Sequence, residues 1–257
     1  MKKSIKSIGA QLYTVRDFMK TPKDIENTFM KIKKIGYDVV QFSGTPIGDA
    51  RELKKIADDT GIKIICTHIP YTSFQADLRK VIEDHHILGA THAGVGILPG
   101  NYHSKEGVLE FTKEFDSIAK QLKKEGLGAT YHNHRFEFEK VDGKRTFDTI
   151  IENSTTFSLM LDTFWVHAGG ADVAEFIRQH KDRLELVHLK DMQIVDNKQD
   201  VCEVMEGNMY WEPIMSEILN SDIEYAFVEQ DSCHRDPFDC LETSYKNLKK
   251  YLETNHE

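Results

Sequence analysis

The sequence predicts a single-domain α/β protein, a (β/α)8 barrel, and three observations predict it. Short apolar, β-branched runs alternate with amphipathic helical segments along the whole chain, the pattern that sets parallel strands inside and helices outside. Eight strand candidates fit into 257 residues, which matches the count and the length of about 250 residues typical of such barrels. No Pro-, Gly- or Ser-rich linker and no shift of composition divides the chain, so one domain is expected over residues 1–257.

The strand candidates run from Ser7 to Tyr13, Asp38 to Phe42, Lys63 to His68, His92 to Ile97, Gly128 to Asn133, Phe157 to Asp162, Leu184 to Lys190 and Glu224 to Glu229. Between strands one and two, Thr21-Pro22 supplies an N-cap and a first-turn proline. Ile25, Phe29 and Ile32 follow at helical spacing, and Gly36 offers the left-handed stop. Gly61, Gly89 and Gly126 stand in the same place before strands three, four and five. The last helix carries Phe238, Leu241, Tyr245, Leu248 and Leu252 on one stripe. A doubly wound open sheet is the alternative, and the lack of a Gly-rich phosphate fingerprint counts against it.

Composition excludes several partners. With 33 Lys+Arg against 42 Asp+Glu the net charge is −9, the wrong sign for a surface that must displace counterions from nucleic acid. No run of about 18 apolar residues is present, so no membrane span is expected. The basic start, Met1-Lys-Lys-Ser-Ile-Lys6, has no apolar core behind it. The expected compartment is therefore the cytoplasm, although an export leader removed beforehand leaves no trace. Cys66, Cys202, Cys233 and Cys240 contain no CxxC pair and read as reduced, structural thiols. Of the twelve histidines, His85, His86, His103, His180 and His256 read as solvated helix or tail residues.

In such barrels chemistry sits at the C-terminal ends of the strands. Those ends carry Gln11 and Tyr13, Gln41, His68, Gly94 and Gly96, then His132, Asn133 and His134 with Glu137 just beyond. Asp162 with Trp165 and His167, His188 with Lys190 and Asp191, and Glu229 with Gln230 and Asp231 complete the set. Glu137, Asp162, His188 and Glu229 form the sharpest subset: three carboxylates and an imidazole delivered to one mouth. Converging carboxylates repel unless a cation neutralises them, so one divalent ion, Mn, Mg, Co or Zn, is expected there. Any one acid taken singly reads better as a salt bridge or a strand-end cap, and it is the four at equivalent places in successive units that favour the metal. Trp165 reads as a sugar-stacking ring or as core filling, and Lys190 as a site residue or a surface pair with Asp191.

The motifs Ile8-Gly-Ala-Gln-Leu-Tyr13, Gly36-Tyr-Asp-Val-Val-Gln-Phe42, Tyr131-His-Asn-His-Arg-Phe-Glu-Phe138, Leu161-Asp-Thr-Phe-Trp-Val166, Val187-His-Leu-Lys-Asp191, Glu206-Gly-Asn-Met-Tyr-Trp211 and Val228-Glu-Gln-Asp231 carry a family likeness. Together they resemble the xylose isomerase-like TIM barrel superfamily, in its sugar phosphate isomerase/epimerase branch, over essentially the full length. The resemblance implies a metal held by Glu, Asp, His and Glu from strands five to eight, which maps onto Asp162, His188 and Glu229. The strand-five Glu of relatives lies three residues before the Asn, and Thr130 occupies that position here. Glu137 is then the expected carboxylate, with His132 or His134 as replacements.

The same resemblance implies proton exchange next to the carbonyl of a keto- or aldo-sugar, through a metal-stabilised enediolate. Glu229 is the expected base, with Glu137 or His132 on the opposite face. Elimination from an inosose or 3-keto-glycoside, with an imidazole or Lys190 as acid, is the alternative chemistry, and a non-catalytic sugar-binding barrel is a third reading. Gln11, His68, His134, Trp165, His167 and Lys190 are the expected substrate contacts. His234 and Arg235 suit a phosphate, but no Gly-rich loop accompanies them, so an unphosphorylated sugar or polyol derivative is expected. A DNA-repair endonuclease of the same superfamily would need more ligands on strands two to four and a basic groove. A homodimer is expected only by analogy with barrel isomerases.

Overall fold

The computed structural model describes residues 5–255, so Met1 to Ser4, His256 and Glu257 lie outside the described residues. Eight parallel strands close into a barrel: β1 Ser7–Gln11, β2 Val39–Phe42, β3 Lys63–His68, β4 His92–Val95, β5 Gly128–His132, β6 Ser158–Asp162, β7 Leu184–Leu189 and β8 Tyr225–Val228. Each pairs with its sequence neighbours, and β1 closes the ring on β8 through Ser7 to Ala10 against Tyr225 to Val228. All eight expected strands are present. Several stop one or two residues early, because the chain leaves the ladder where its side chains begin to serve the loops. Gln11 shows how: its side chain accepts the Tyr13 amide at 2.8 Å and bends the chain into a 3-10 turn, Leu12–Phe18.

Helices α1 Pro22–Ile35, α2 Ala50–Thr60, α3 Tyr71–Ala76, α4 Leu78–Leu88, α5 Lys105–Lys124, α6 Thr146–Asn153, α7 Thr163–Ala168, α8 Val173–His180, α9 Trp211–Leu219 and α10 Pro237–Asn255 surround the barrel. Thr21 and Asp24 form a reciprocal capping box at the start of α1. Gly36 ends it at φ 127°, and a Cβ there would lie 2.5 Å from the Tyr245 ring of α10. Conformation and space both require glycine.

Two apolar layers follow from the strand's two-residue period. Side chains pointing outward, such as Tyr131, Leu161, Val187 and Val228, pack under the helices. Those pointing inward, Val39, Met160, Leu186 and Phe227 among them, fill the barrel as a separate cluster. Continuing the inward parity toward the mouth places Gln41 after Val39, Asp162 after Met160, His188 and Lys190 after Leu186, and Glu229 and Asp231 after Phe227. The site is the top layer of the barrel filling.

Three features depart from the sequence reading. Two antiparallel hairpins are added, Lys140–Val141 with Lys144–Arg145 and Asp191–Val195 with Lys198–Cys202. His85 is fully buried rather than solvated, with Nε2 2.8 Å from Thr67 Oγ1 and Nδ1 2.6 Å from the Val81 carbonyl, tying α4 to β3. Asp191 does not pair with Lys190; it accepts from the Met192, Met205 and Gly207 amides and from Trp211 Nε1, and so organises the loop after β7. All four cysteines are free thiols, and only Cys233 is part-exposed.

Candidate metal and substrate site

Four buried residues at the C-terminal mouth, His132, Asp162, His188 and Glu229, bring one donor atom each to within 4.8 Å of one another. Asp162, His188 and Glu229 come together as the strand ends predict. The fourth member of the group is His132, the expected replacement for Glu137, and Glu137 is not among the four. Glu137 is fully buried on a 3-10 turn, Phe136–Phe138, where it accepts from the Tyr131 hydroxyl at 2.5 Å and from the His134 amide at 2.8 Å. Tyr131 faces outward onto Phe111 of α5, so its partner is drawn to the helix side of β5, away from the barrel axis. Burial pushes the Glu137 carboxyl up to about 8, and its two hydrogen bonds make it the pin of this turn.

The imidazoles are oriented from behind. His132 Nδ1 lies 3.0 Å from the Gly96 carbonyl, which can only accept, so the ring donates there and turns Nε2 toward Asp162 Oδ2 at 3.3 Å. His188 donates from Nε2 to Gln41 Oε1 at 2.6 Å and turns Nδ1 toward Glu229 Oε2 at 3.0 Å. A neutral ring so held aims a lone pair at a carboxylate, an arrangement that needs a proton or a cation between the two. Holding a ligating histidine by its outer nitrogen is also what tunes it for metal. The four residues fit a divalent metal site.

Lys190 supplies the charge that the chain itself provides. It is fully buried, and Nζ lies 3.0 Å from Asp162 Oδ2, 2.8 Å from Glu229 Oε2 and 3.0 Å from Asp231 Oδ2. Its reading as a surface pair with Asp191 is thereby corrected. Burial disfavours charge on Asp162 and Glu229, yet the Lys190 ammonium with the facing imidazoles holds both carboxyls well below their usual range. Burial likewise opposes charge on His188, and the Glu229 and Asp162 carboxylates raise it above the ordinary histidine value.

A cavity of about 910 Å³ opens over this cluster and is lined by Gln11, His68, His132, His134 and Glu229. Burial pushes His134 down to about 3 and His68 well below the usual value, so both rings are neutral near pH 7. His68 Nε2, His134 Nδ1 and Trp165 Nε1 are buried without a hydrogen-bond partner among the described residues. Trp165 stands at the edge of the site, its ring 5.4 Å from His134 and 5.1 Å from Lys190 Nζ. Neither Trp165 nor Lys190 is among the residues lining the cavity, and neither is His167. Two residues after Trp165 on α7 it lies about 200° around the helix, on the other side. His234 and Arg235 are engaged by Asp200 and Glu203 outside the site. Sequence reasoning named Gln41 and Asp231 but missed their parts, as holder of His188 and as third partner of Lys190. Strand parity was the signal for both.

None of the curated proteins matches the chain. The structure is similar to that of a sugar phosphate isomerase/epimerase from Parabacteroides distasonis, at TM-score 0.78 and 22% identity over 97% of this chain and 96% of that one. A 3-keto-D-glucoside 4-epimerase from E. coli follows at 0.71 and 15%, over 96% and 99%. A barrel described as a probable 3-DHS dehydratase from Bacillus anthracis gives 0.72 and 13%, over 95% and 98%. At these identities the likeness is one of fold. The sequence profile of one family, however, matches residues 29–251, almost the whole barrel, and the chain belongs to the xylose isomerase-like TIM barrel family.

Proposed function

We propose that this chain is a divalent-metal-dependent enzyme that moves a proton at the carbon next to the carbonyl of a sugar or polyol derivative, as an isomerase or epimerase. The observation that carries the reading is the buried group of His132, Asp162, His188 and Glu229 beside Lys190, at the floor of a cavity able to hold a sugar. Metal bound there supplies Lewis acidity toward a carbonyl or neighbouring hydroxyl oxygen. Two imidazole nitrogens in the set favour Mn, Co or Zn over Mg. Glu229 is the base: its carboxylate is ionised at neutral pH and lies at the cavity surface. Lys190 lies 2.8 Å from Glu229 Oε2 and 3.0 Å from Asp231 Oδ2, and these carboxylates raise its value above that of an ordinary lysine, so it keeps its proton and holds Glu229 ionised beside the cavity. His68 and His134, neutral and each with a free ring nitrogen, orient hydroxyls.

A second reading, elimination of water or an alkoxide, gains support from one observation. With Glu137 away from the donor group, the site lacks the pair of opposed glutamates that suits reversible exchange on both faces. One carboxylate base facing one acid, an imidazole or Lys190, is what elimination needs. Both readings share the first step, which an experiment can isolate. Keto-sugars and an inosose incubated in D2O with Mn²⁺, Co²⁺, Zn²⁺ or Mg²⁺ should gain deuterium beside the carbonyl, read by NMR. Glu229→Gln should reduce that rate by about 10²-fold or more. Exchange alone marks isomerisation or epimerisation, loss of water or aglycone marks the lyase, and an undiminished Glu229→Gln rate refutes the assignment of the base.

A further inference from the structure

The Lys190 ammonium already sits on the oxygens that a divalent ion needs. Asp162 Oδ2, which faces His132 Nε2 at 3.3 Å, lies 3.0 Å from Nζ, and Glu229 Oε2, which faces His188 Nδ1 at 3.0 Å, lies 2.8 Å from it. Asp162 has no second oxygen to offer, because Oδ1 accepts from the Trp165 amide at 3.0 Å. Two cations drawing on one pair of buried oxygens repel each other, and little water is present to screen them. The charges nevertheless accommodate both. A divalent ion balances Asp162 and Glu229, and the third carboxylate, Asp231, is left for the ammonium. Asp231 Oδ2 lies 3.0 Å from Nζ, and its side chain is 35% exposed at the cavity wall. The Lys190 backbone is fixed, since the Thr163 hydroxyl accepts from its amide at 2.9 Å and donates to its carbonyl at 2.8 Å. Any shift between the three carboxylates therefore belongs to the side chain.

We propose that Lys190 is a displaceable counter-ion: in the metal-free protein it holds Asp162 and Glu229 together in place of metal, and when a divalent ion binds, the ammonium yields these oxygens and stays on Asp231. The inference rests on the metal reading above and adds a consequence for affinity. The site is assembled before metal arrives, and it binds that metal less tightly than its four donors alone allow.

The test titrates full-length, EDTA-treated protein with Mn²⁺, Co²⁺ and Zn²⁺ against a chromophoric chelator. Lys190→Met, checked for folding by circular dichroism, should bind these ions about tenfold or more tightly than the unaltered chain. Its metal-free Tm should be lower, because two buried carboxylates have lost their cation. Substituting a residue that merely shaped the site would cost affinity, so a gain is the distinguishing result. Equal or weaker binding by the folded variant overturns the proposal. The shift itself is read on the unaltered chain and does not depend on the variant folding. Acetic anhydride should modify Lys190 faster with Zn²⁺ bound than without, by mass spectrometry of its peptide, and an unchanged or slower rate overturns the proposal. Metal binding by neither protein refutes the metal reading and the proposal with it. Binding by the unaltered chain with no gain in Lys190→Met overturns the proposal alone, and binding by Lys190→Met alone leaves the competition standing and refutes the metal-dependent reaction.

Discussion

At the scale of single residues, parity decides who reaches the site. Thr130, His132 and His134 share the inward face of β5 and its extension, while Tyr131 turns outward to Phe111. Glu137 follows a turn and carries no parity of its own, so its hydrogen bond to Tyr131 settles its side. Asp162 and His188 were legible because each is the last inward residue of its strand, and Glu229 because it is the next inward position beyond β8. His132, expected as a replacement for the strand-five carboxylate, is marked on the same ground, since it stands two residues after Thr130, the position of the missing carboxylate. Gln41 is the residue whose value is easiest to isolate. It is fully buried, and Oε1 accepts from His188 Nε2. Gln41→Leu removes that acceptor while keeping the volume, and should weaken divalent metal binding by about 10- to 100-fold. Competition against a chromophoric chelator measures this directly; unchanged affinity would mean that His188 does not bind metal through Nδ1.

At the scale of elements, the barrel strands and their helices were legible from periodicity and stop signals, whereas the two hairpins were not. Each turns on a short signal: Asp142-Gly143, at φ 51° and 82°, and Asp196-Asn197, at φ 48° and 60°. Such dipeptides favour two-residue turns between antiparallel strands, but strands of two to five residues between them leave little alternation to read. Elements are also joined by side chains that no local pattern announces. Asp116 of α5 accepts from the Thr155 and Thr156 amides at 2.9 and 2.6 Å and from the Thr155 hydroxyl at 2.7 Å, fixing the α6–β6 connection to the helix. Burial works against the ionised form, and these hydrogen bonds outweigh it, bringing the carboxyl from 3.8 down to about 2. Since the folded value lies below the unfolded one, the stabilisation is fully present above about pH 4 and is lost as pH falls toward 2. It amounts to about 2 kcal/mol. Urea unfolding of Asp116→Asn should show a lower stability at pH 6 and a shallower decline between pH 4 and pH 2.5 than the unaltered chain. Parallel declines would place the acid sensitivity elsewhere.

At the scale of the whole molecule, the excess of acidic residues that argues against nucleic acid has a buried component, because Asp162, Glu229 and Asp231 meet at one ammonium. A divalent ion that binds the folded barrel and not the unfolded chain must raise global stability, by about 2.7 kcal/mol at a hundredfold excess over its Kd. For a chain of this size that is a rise in Tm of about 5 to 10 °C. The shift discriminates between the two candidates for the fourth donor. Protein freed of metal with EDTA and then given Mn²⁺, Co²⁺ or Zn²⁺ should show the rise. His132→Ala should lose most of it, since a donor has gone. Glu137→Gln should begin from a lower Tm, because the turn loses part of its pin, and should then gain as many degrees with metal as the unaltered chain. The comparison is of the metal-dependent increment, so a change in baseline stability does not obscure it. An increment abolished by Glu137→Gln and kept by His132→Ala would return the ligand role to Glu137 and require the Phe136–Phe138 turn to rearrange on binding.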